Sequence, residues 1–154
     1  MMIDACCLPT HNGILVKDLV NRWHSTLRAP VGWRVAFTLL AGGETAGIST
    51  WGRPTARLED QVSTLEHTRM ALGPGAPRNS GSWFLARNRE WIRANMPGIR
   101  RLIAYVNLEH HAGTIYQADN WRLVYRKKTR STWRNRPGRA GNEARYRAKF
   151  ERQP

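Results

Sequence analysis

Residues 73–77 read Gly-Pro-Gly-Ala-Pro, and this stretch limits the folds open to the chain more than any other feature. Proline fixes φ and lacks a backbone donor, so the stretch cannot lie inside a helix or a central strand. It divides the chain into two parts with different hydrophobic patterns. Before it, an amphipathic pattern from Ile14 to Trp23 predicts a helix. The same part holds three strand-like segments at residues 31–40, 46–53 and 62–72, with Gly42-Gly43-Glu44 as the first turn.

The second part alternates between helical and strand-like patterns. A helix is predicted through Trp83 and Ile92, and Pro97-Gly98 ends it. A strand at residues 101–107, a short helix at 113–120 and a strand at 121–126 follow. Three meander strands followed by a β-α-β crossover predict an α/β (α+β) fold, a mixed sheet flanked by helices on both sides. Whether a further strand precedes the first helix is left open by the pattern.

The charge balance favours a polyanionic partner. The 154 residues are enough for one domain, and 25 Lys and Arg against 11 Asp and Glu make the net charge +14. Nucleic acid is the first expectation, with an anionic membrane or an acidic protein second. Of the 25 basic residues 21 are Arg, whose forked guanidinium suits phosphates and base edges. A high-GC genome would also enrich Arg.

The positive charge is concentrated near the C-terminus. Residues 122–154 contain 12 basic and 2 acidic side chains. From residue 131 onward, Gly and Pro breakers and few aliphatic residues indicate a segment that is extended or partly disordered until it meets a polyanion. We therefore expect a folded domain over residues 1–130 and a basic tail over residues 131–154.

The protein is expected to be located in the cytoplasm. No apolar run approaches the roughly 18 to 20 residues of a membrane span, and the first residues lack the pattern of a signal peptide. The two cysteines, Cys6 and Cys7, are adjacent, so neither a disulfide nor a zinc site is predicted.

The loop before the second predicted helix is the first candidate site. A glycine-rich turn that enters a helix presents free N–H groups to an anion such as phosphate. The residues placed to bind it are Arg78, Asn79, Ser80, Gly81 and Ser82. The alternative is that Ser80 or Ser82 simply caps the helix.

The segment from Asn107 to Ala118 is the second candidate, because a strand there ends in polar residues and re-enters a helix. Glu109 and His111, with His110 between them, could act as acid/base groups or metal ligands. His111 and Tyr116 are the preferred catalytic candidates. The alternative is a solvated loop, and without a third ligand at a diagnostic spacing no metal site is predicted.

Arginines beside two predicted strands form the third candidate. Arg53, Arg57 and Arg69 would reach a substrate phosphate or base, unless Glu66 neutralises one of them. The fourth candidate is a basic run with one Trp, which can follow a DNA backbone and stack on a base; the alternative is a solubilising tail. Its proposed contacts are Lys127, Lys128, Arg130, Trp133, Arg134, Arg136 and Arg139.

The predicted strand order with a phosphate-type loop resembles the GNAT acyltransferase fold, whose mixed sheet is splayed. Within it, residues 111–121, His-Ala-Gly-Thr-Ile-Tyr-Gln-Ala-Asp-Asn-Trp, resemble a segment of phage Mom-type DNA modification proteins. Residues 52–54 and 78–82 are similar to other parts of that family. The resemblance covers roughly residues 30–135 by segment order. It implies modification of the adenine amine in phage DNA, with a carbamoylmethyl-type group, as protection from restriction.

The resemblance also bears on the cofactor. GNAT enzymes place a second small residue in the pyrophosphate loop, where this chain has Trp83, which points to a donor other than acetyl-CoA. An acyl-CoA or another activated donor is therefore expected. Iron is implied for Mom-type proteins, with His111, Tyr116 and Asp119 as its possible ligands here.

The leading hypothesis is an enzyme that modifies adenine N6 in double-stranded DNA in a pocket between two parting strands, after extruding the base. His111 or Glu109 would move the proton, with Tyr116 and Asp119 also in the catalytic set. The oligomeric state is open, a dimer included. The alternatives are a GNAT N-acetyltransferase that uses acetyl-CoA on a small-molecule or protein amine, and a non-catalytic nucleic-acid binder.

Overall fold

The structure, a computed structural model, describes residues 4–128 and 146–154. In these ranges the chain forms seven strands and three helices. In chain order they are β1 Ala5–Thr10, α1 Gly13–Trp23, β2 Val35–Ala41, β3 Glu44–Gly52, β4 Thr64–Leu72, α2 Ser80–Asn95, β5 Arg101–Asn107, α3 Thr114–Ala118, β6 Arg122–Lys128 and β7 Tyr146–Arg152. The α/β (α+β) class is confirmed, and a strand does precede the first helix.

The strands form one mixed sheet in the order β1-β2-β3-β4-β5-β7-β6. Every neighbouring pair is antiparallel except β4 and β5, which are parallel and joined through α2. Their ladder covers only residues 64–66 and 101–103, beyond which the two strands part. The splayed sheet expected from the resemblance is therefore confirmed.

Helices cover both faces of the sheet. On one face α1 packs Val16, Leu19 and Val20 against Ile48 of β3 and Ala71 of β4. On the other face α2 and α3 close a larger core over the remaining strands. Its members include Phe84, Leu85, Ile92, Tyr116, Trp51, Leu65, Leu102, Ala104 and Phe150. These two cores confirm the prediction of helices on both sides.

Part of the predicted C-terminal tail is a strand of the sheet. β7 lies between β5 and β6 and pairs with both, so the expected domain boundary at residue 131 is wrong for residues 146–152. The charged residues obscured the strand pattern in the sequence, because only Ala148 and Phe150 of this segment point into the core. On the opposite face Lys149 pairs with Glu59, which lowers the cost of burying the ammonium. Residues 131–145 of the expected tail lie outside the described residues.

None of the helices in the described part of the chain has the length and apolar character needed to cross a membrane. The longest, α2, has 16 residues and carries buried Asn88 and Arg89.

Candidate functional site

A β-bulge in β4 sets the directions of the side chains around the site. His67 pairs opposite Trp51 of β3 and Arg69 opposite Thr50, so Thr68 is an extra residue on β4. His67 therefore points to the α2 and α3 side, where it meets Tyr116. Arg69 points to the α1 side, where its Nε donates to the Arg28 carbonyl. Side chains of β4 therefore face two separate parts of the protein, the α2 side through His67 and the α1 side through Arg69.

On the α2 side, three buried side chains form a hydrogen-bonded chain. Nε2 of His67 lies 2.9 Å from Ser49 Oγ, and Nδ1 lies 2.8 Å from the Tyr116 hydroxyl. Burial, with a smaller contribution from the charge of nearby His24, lowers the pKa of His67 to about 3. His67 is therefore neutral at pH 7, so one ring nitrogen donates and the other accepts. Burial also raises the pKa of Tyr116, which keeps its hydroxyl protonated.

Tyr116 also belongs to an aromatic cluster that crosses the parting strands. Its ring stacks on Phe150 of β7 at 5.4 Å and meets Trp121 edge-on at 5.1 Å. Gly113 allows this packing, because a Cβ there would lie 2.7 Å from the Phe150 ring and φ is +76°. Packed side chains thus occupy the α2 side of the space in which the sequence predicted a pocket.

A cavity of about 510 Å³ lies instead on the α1 side of β3 and β4. Three arginines, Arg34, Arg53 and Arg69, face it together with the ring of Trp33. None of the three is ion-paired to an acidic side chain of the described residues. The remaining lining residues are Pro30, Val31, Gly32, Gly52, Thr55 and Thr68. The cavity is therefore cationic, with apolar walls.

Glu66 does not neutralise Arg69 by direct contact, contrary to the alternative drawn from sequence. Its carboxylate accepts from the Thr55 N–H at 2.6 Å and from the Thr55 hydroxyl at 3.0 Å. Burial nevertheless raises the pKa of Glu66, and the charge of Arg69 counters this only in part. Arg69 is held by two backbone carbonyls, those of Arg28 and Thr68. Its guanidinium is positioned before any ligand enters.

His111 lies at the rim, beside the loop that follows α1. Its Nε2 is 3.4 Å from Ser25 Oγ. Burial lowers the pKa of His24 to about 4, and the charges of Arg69 and His111 contribute to this decrease. Glu109 is exposed in the turn after β5, where its N–H donates to Asn107 Oδ1. The structure thus brings His111, but not the Tyr116 hydroxyl, to the α1 side.

Asp119 lies in a buried ion-pair network. Its carboxylate accepts two hydrogen bonds of 3.0 Å from Arg89 and one of 2.8 Å from Trp121 Nε1. Arg152 contacts the same carboxylate at 3.2 Å. These partners give Asp119 a role in holding α2, α3 and β7 together, and its catalytic role stays a prediction.

The residues named as possible iron ligands do not form a ligand set. Tyr116 bonds to His67, Asp119 pairs with Arg89, and His111 approaches Ser25. Across residues 4–128 and 146–154, no three His, Cys, Asp or Glu side chains are grouped to hold a metal ion. Iron therefore does not fit these residues.

The first turn of α2 can hold an anion. Asn79 is in the left-handed region, with φ +62°, and its side chain makes no capping hydrogen bond. Ser80 Oγ is buried and has no partner among the described residues. Arg78 is exposed beside it, and Ser82 Oγ approaches the Asn79 carbonyl at 3.5 Å. Uncapped N–H groups, a buried hydroxyl without a partner and a nearby cation fit a phosphate.

Gly81 has a packing reason that the sequence did not reveal. A Cβ at this position would lie 2.9 Å from Ile115 Cγ2, so the glycine permits close contact between α2 and α3. It is therefore required by the helix interface, whatever binds at the helix end.

The predicted DNA contacts fall into three groups. Arg53 and Arg69 line the cavity, while Arg57 is exposed in the loop after β3. Lys127 and Lys128 are exposed at the end of β6. The others lie outside the described residues: Arg130, Trp133, Arg134, Arg136 and Arg139.

Four residues of these two environments were not singled out from the sequence: Trp33, Arg34, Ser49 and His67. Trp33 and Arg34 precede β2 in a segment predicted as strand, and no local pattern distinguishes them. His67 lies between Glu66 and Arg69 in the third predicted strand of the first part. A bulge that turns His67 away from Arg69 is a product of pairing with β3.

The fold and the splayed β4–β5 pair are those of GNAT acetyltransferases. An acetyltransferase from Bacillus subtilis, solved in complex with CoA, superposes with a TM-score of 0.66, 14% identity, and coverage of 97% of this chain and 99% of that chain. A GNAT-family acetyltransferase from Streptococcus pneumoniae gives a TM-score of 0.62 at 15% identity, covering 96% and 99%. An N-acetyltransferase from Staphylococcus aureus gives 0.64 at 18%, covering 98% and 99%.

The chain belongs to the Mom protein family, which matches residues 13–152. The match extends beyond the roughly 30–135 covered by the resemblance and includes all of α1 and all of β7. A search of curated proteins found no match.

Proposed function

We propose that this protein transfers an acyl- or carbamoylmethyl-type group to the exocyclic amine of a DNA base, most simply adenine N6. Membership of the Mom family supports the DNA substrate, and the GNAT fold supports group transfer to an amine. One observation carries the proposal furthest, the cavity lined by Arg34, Arg53 and Arg69, none of which pairs with a carboxylate of the described residues. A small neutral amine would not need three guanidiniums, whereas a nucleotide would.

The cavity has the dimensions and lining for one extruded nucleotide. Its volume of about 510 Å³ lies within the range of small-molecule pockets. Trp33 supplies an aromatic surface on which a base can stack. Arg69, held by two carbonyls, and Arg53 at the mouth would bind the phosphates on either side of the extruded base. The hydroxyls of Thr55 and Thr68 already bond to Glu66 and Thr50, so they would offer the base edge acceptor lone pairs.

The donor would be held at the other side of the sheet. The first turn of α2, with Arg78 and the buried Ser80 hydroxyl, would bind the phosphates of an acyl-CoA or another activated donor. Such a donor supplies the acyl group in an activated form. The acyl end of the donor and the amine would meet on the α1 side of the sheet, next to the bulge at Thr68, because packed side chains close the gap between β4 and β5 on the α2 side.

Proton movement is assigned to residues at the same edge. When the amine attacks the acyl carbon of the donor, the new N–C bond forms and the bond from that carbon to the donor's leaving group breaks, which for an acyl-CoA releases the thiol. Exposed His111 is the base on the α1 side that takes up the amine proton and passes it to the leaving group. On the α2 side the Tyr116 hydroxyl is protonated, and hydrogen bonds through His67 connect it to Ser49. Glu109 would act from the neighbouring turn. Asp119 takes no part in this scheme, since Arg89 and Arg152 hold its carboxylate.

The test is mass spectrometry of nucleosides from plasmid DNA co-expressed with the protein. An adenosine carrying an added mass is expected, and an Arg69→Gln variant should lose it. Calorimetry with acetyl-CoA then separates the donors. If plasmid DNA carries no adduct while acetyl-CoA binds and a small amine is acetylated, the N-acetyltransferase alternative replaces this proposal.

A further inference from the structure

One face of β5, β7 and β6 carries cations and tyrosines. Alternate residues of β5 and β7 pack into the core against α2 and α3, so the others point to the opposite side of the sheet. The strand register aligns these side chains in rows. We call five of them the outer face: Tyr105, Asn107, Tyr125, Lys127 and Arg147.

The outer face is positively charged. Lys127 and Arg147 are cross-strand neighbours, and neither is ion-paired within residues 4–128 and 146–154. The Lys127 ammonium lies 4.6 Å from the centre of the Tyr125 ring, which restricts its position without neutralising it. Lys149 differs, because it is buried and paired with Glu59. Two adjacent cations directed to solvent on a sheet surface fit a row of phosphates.

The outer face lies on the same side of the sheet as the arginine-lined cavity. Glu66 of β4 pairs with Ile103 of β5, and Tyr105 is the next residue of β5 on the same face. The Glu66 carboxylate accepts hydrogen bonds from Thr55, which lines the cavity. A duplex placed over the outer face would extend toward the cavity mouth.

We propose that the outer face is the docking surface for the duplex DNA that flanks the target base, with Lys127 and Arg147 on its phosphates. This inference rests on the proposed function for the identity of the polyanion. It adds a division of labour: the cavity binds one nucleotide, and the outer face binds the helix beside it. Contacts to phosphates are independent of sequence, so this surface contributes affinity and orientation.

The experiment compares two double variants that remove the same charge. Lys127→Gln with Arg147→Gln removes the two outer-face cations. Lys17→Gln with Arg93→Gln removes two exposed cations on α1 and α2 that form no ion pair with described residues. Fluorescence anisotropy with a 24-base-pair duplex gives each affinity from low to moderate salt. The outer-face variant should bind about tenfold or more weakly, with a log–log salt slope smaller by about 2. The control should change less than about twofold.

Two outcomes would overturn the docking surface. One is an unchanged duplex affinity in the outer-face variant. The other is an equal loss in both variants, since a general charge effect does not depend on position. Circular dichroism of both variants establishes that they are folded.

The plasmid adduct separates this inference from the proposed function. If wild-type protein produces no adduct but the outer-face variant still loses duplex affinity, the docking surface stands and the proposed function fails. If the adduct forms and the outer-face variant binds and modifies DNA at the wild-type level, the proposed function stands and the docking surface fails.

Discussion

The Tyr116 hydroxyl lies 2.8 Å from Nδ1 of His67, and both side chains are buried. α3 supplies one partner and β4 the other, 49 residues apart in the chain. The contact closes the space between the parting strands on the α2 side and leaves the cavity on the α1 side as the accessible site. The contribution of the Tyr116–His67 hydrogen bond to stability and the role of the Tyr116 hydroxyl in the reaction can be measured separately.

Replacing Tyr116 with Phe should destabilise the protein by about 1–3 kcal/mol, because Nδ1 of His67 would be buried without a partner. Urea unfolding measures this change. Tyr125→Phe is the control, since its hydroxyl makes no hydrogen bond with the described residues. If Tyr116→Phe leaves the free energy of unfolding unchanged, the hydrogen bond contributes nothing to stability. The plasmid adduct, measured on the same variant, reports any role of the hydroxyl in chemistry.

Replacing Asp119 with Asn should destabilise by about 3–5 kcal/mol, because Arg89 would remain buried without its carboxylate. Asp18→Asn is the matched control, since the Asp18–Arg22 pair is exposed and should contribute less than about 1 kcal/mol. A folded, equally stable Asp119→Asn variant that has lost only the adduct would show instead that Asp119 is catalytic.

The lowered pKa of His67 predicts that the protein loses stability at acid pH. Its pKa in the folded protein is about 3, below the ordinary value of 6.5, so the unfolded chain takes up the proton first. The stability is therefore complete above pH 6.5 and is lost as the pH falls toward 3. At pH 5 the loss from this group is about 2 kcal/mol.

The test measures the free energy of unfolding of wild type and His67→Gln between pH 7 and pH 5. The difference between the two proteins should shrink as the pH falls, because only the wild type has a buried imidazole that must exclude the proton. A difference that stays constant across this range would mean that His67 does not remain neutral in the folded protein. The raised pKa of Glu66 is common to both proteins and cancels in the comparison.

Arg69→Gln should reduce DNA modification more than Arg57→Gln. Arg69 is positioned by two carbonyls at the cavity, whereas Arg57 is exposed in the loop after β3. Losing a hydrogen bond to a charged group costs about 1.5–3 kcal/mol, which corresponds to about 10- to 100-fold in adduct formation. The adduct yield at limiting protein expression is the measurement. Equal effects of the two substitutions would show that the cavity is not the site that binds the acceptor base.

The basic segment between β6 and β7 should contribute to DNA affinity through its charge. Removing all residues after 131 is not a clean test, because it also deletes β7, which pairs with β5 and β6. Substituting Gln for Arg130, Arg134, Arg136 and Arg139 keeps the strand. The salt dependence of duplex binding should become less steep, by up to about 0.9 for each phosphate that is no longer neutralised. An unchanged slope would show that these arginines do not bind the backbone.

The sequence predicted the parts of the fold that depend on local patterns. The Gly73–Pro77 breaker, the alternation of the strands before it and the helical period after it were sufficient for the order of elements from α1 to β6 and for the mixed sheet. β7 was missed because its pattern is masked by charge. Its place in the sheet becomes clear only from its neighbours, since Ala148 and Phe150 are core residues once β5 and β6 flank them.

The candidate site was predicted less completely than the fold. The arginines Arg53 and Arg69 were identified, because a guanidinium next to a strand needs a partner. Trp33 and Arg34 were not, because the cavity forms only when the loop after α1 packs beside β3 and β4. Asp119 was given a chemical role, although Arg89, 30 residues earlier, is the partner that holds its carboxylate.

The sequence by itself determined the order of helices and strands and the excess of positive charge, because both follow from residue type and short-range period. Only the tertiary structure decided that His67 and Arg69 face opposite sides of one strand, that Tyr116 closes the gap between β4 and β5, and that the accessible cavity lies on the α1 side. Those outcomes depend on strand register and on contacts between distant segments, which no local pattern encodes.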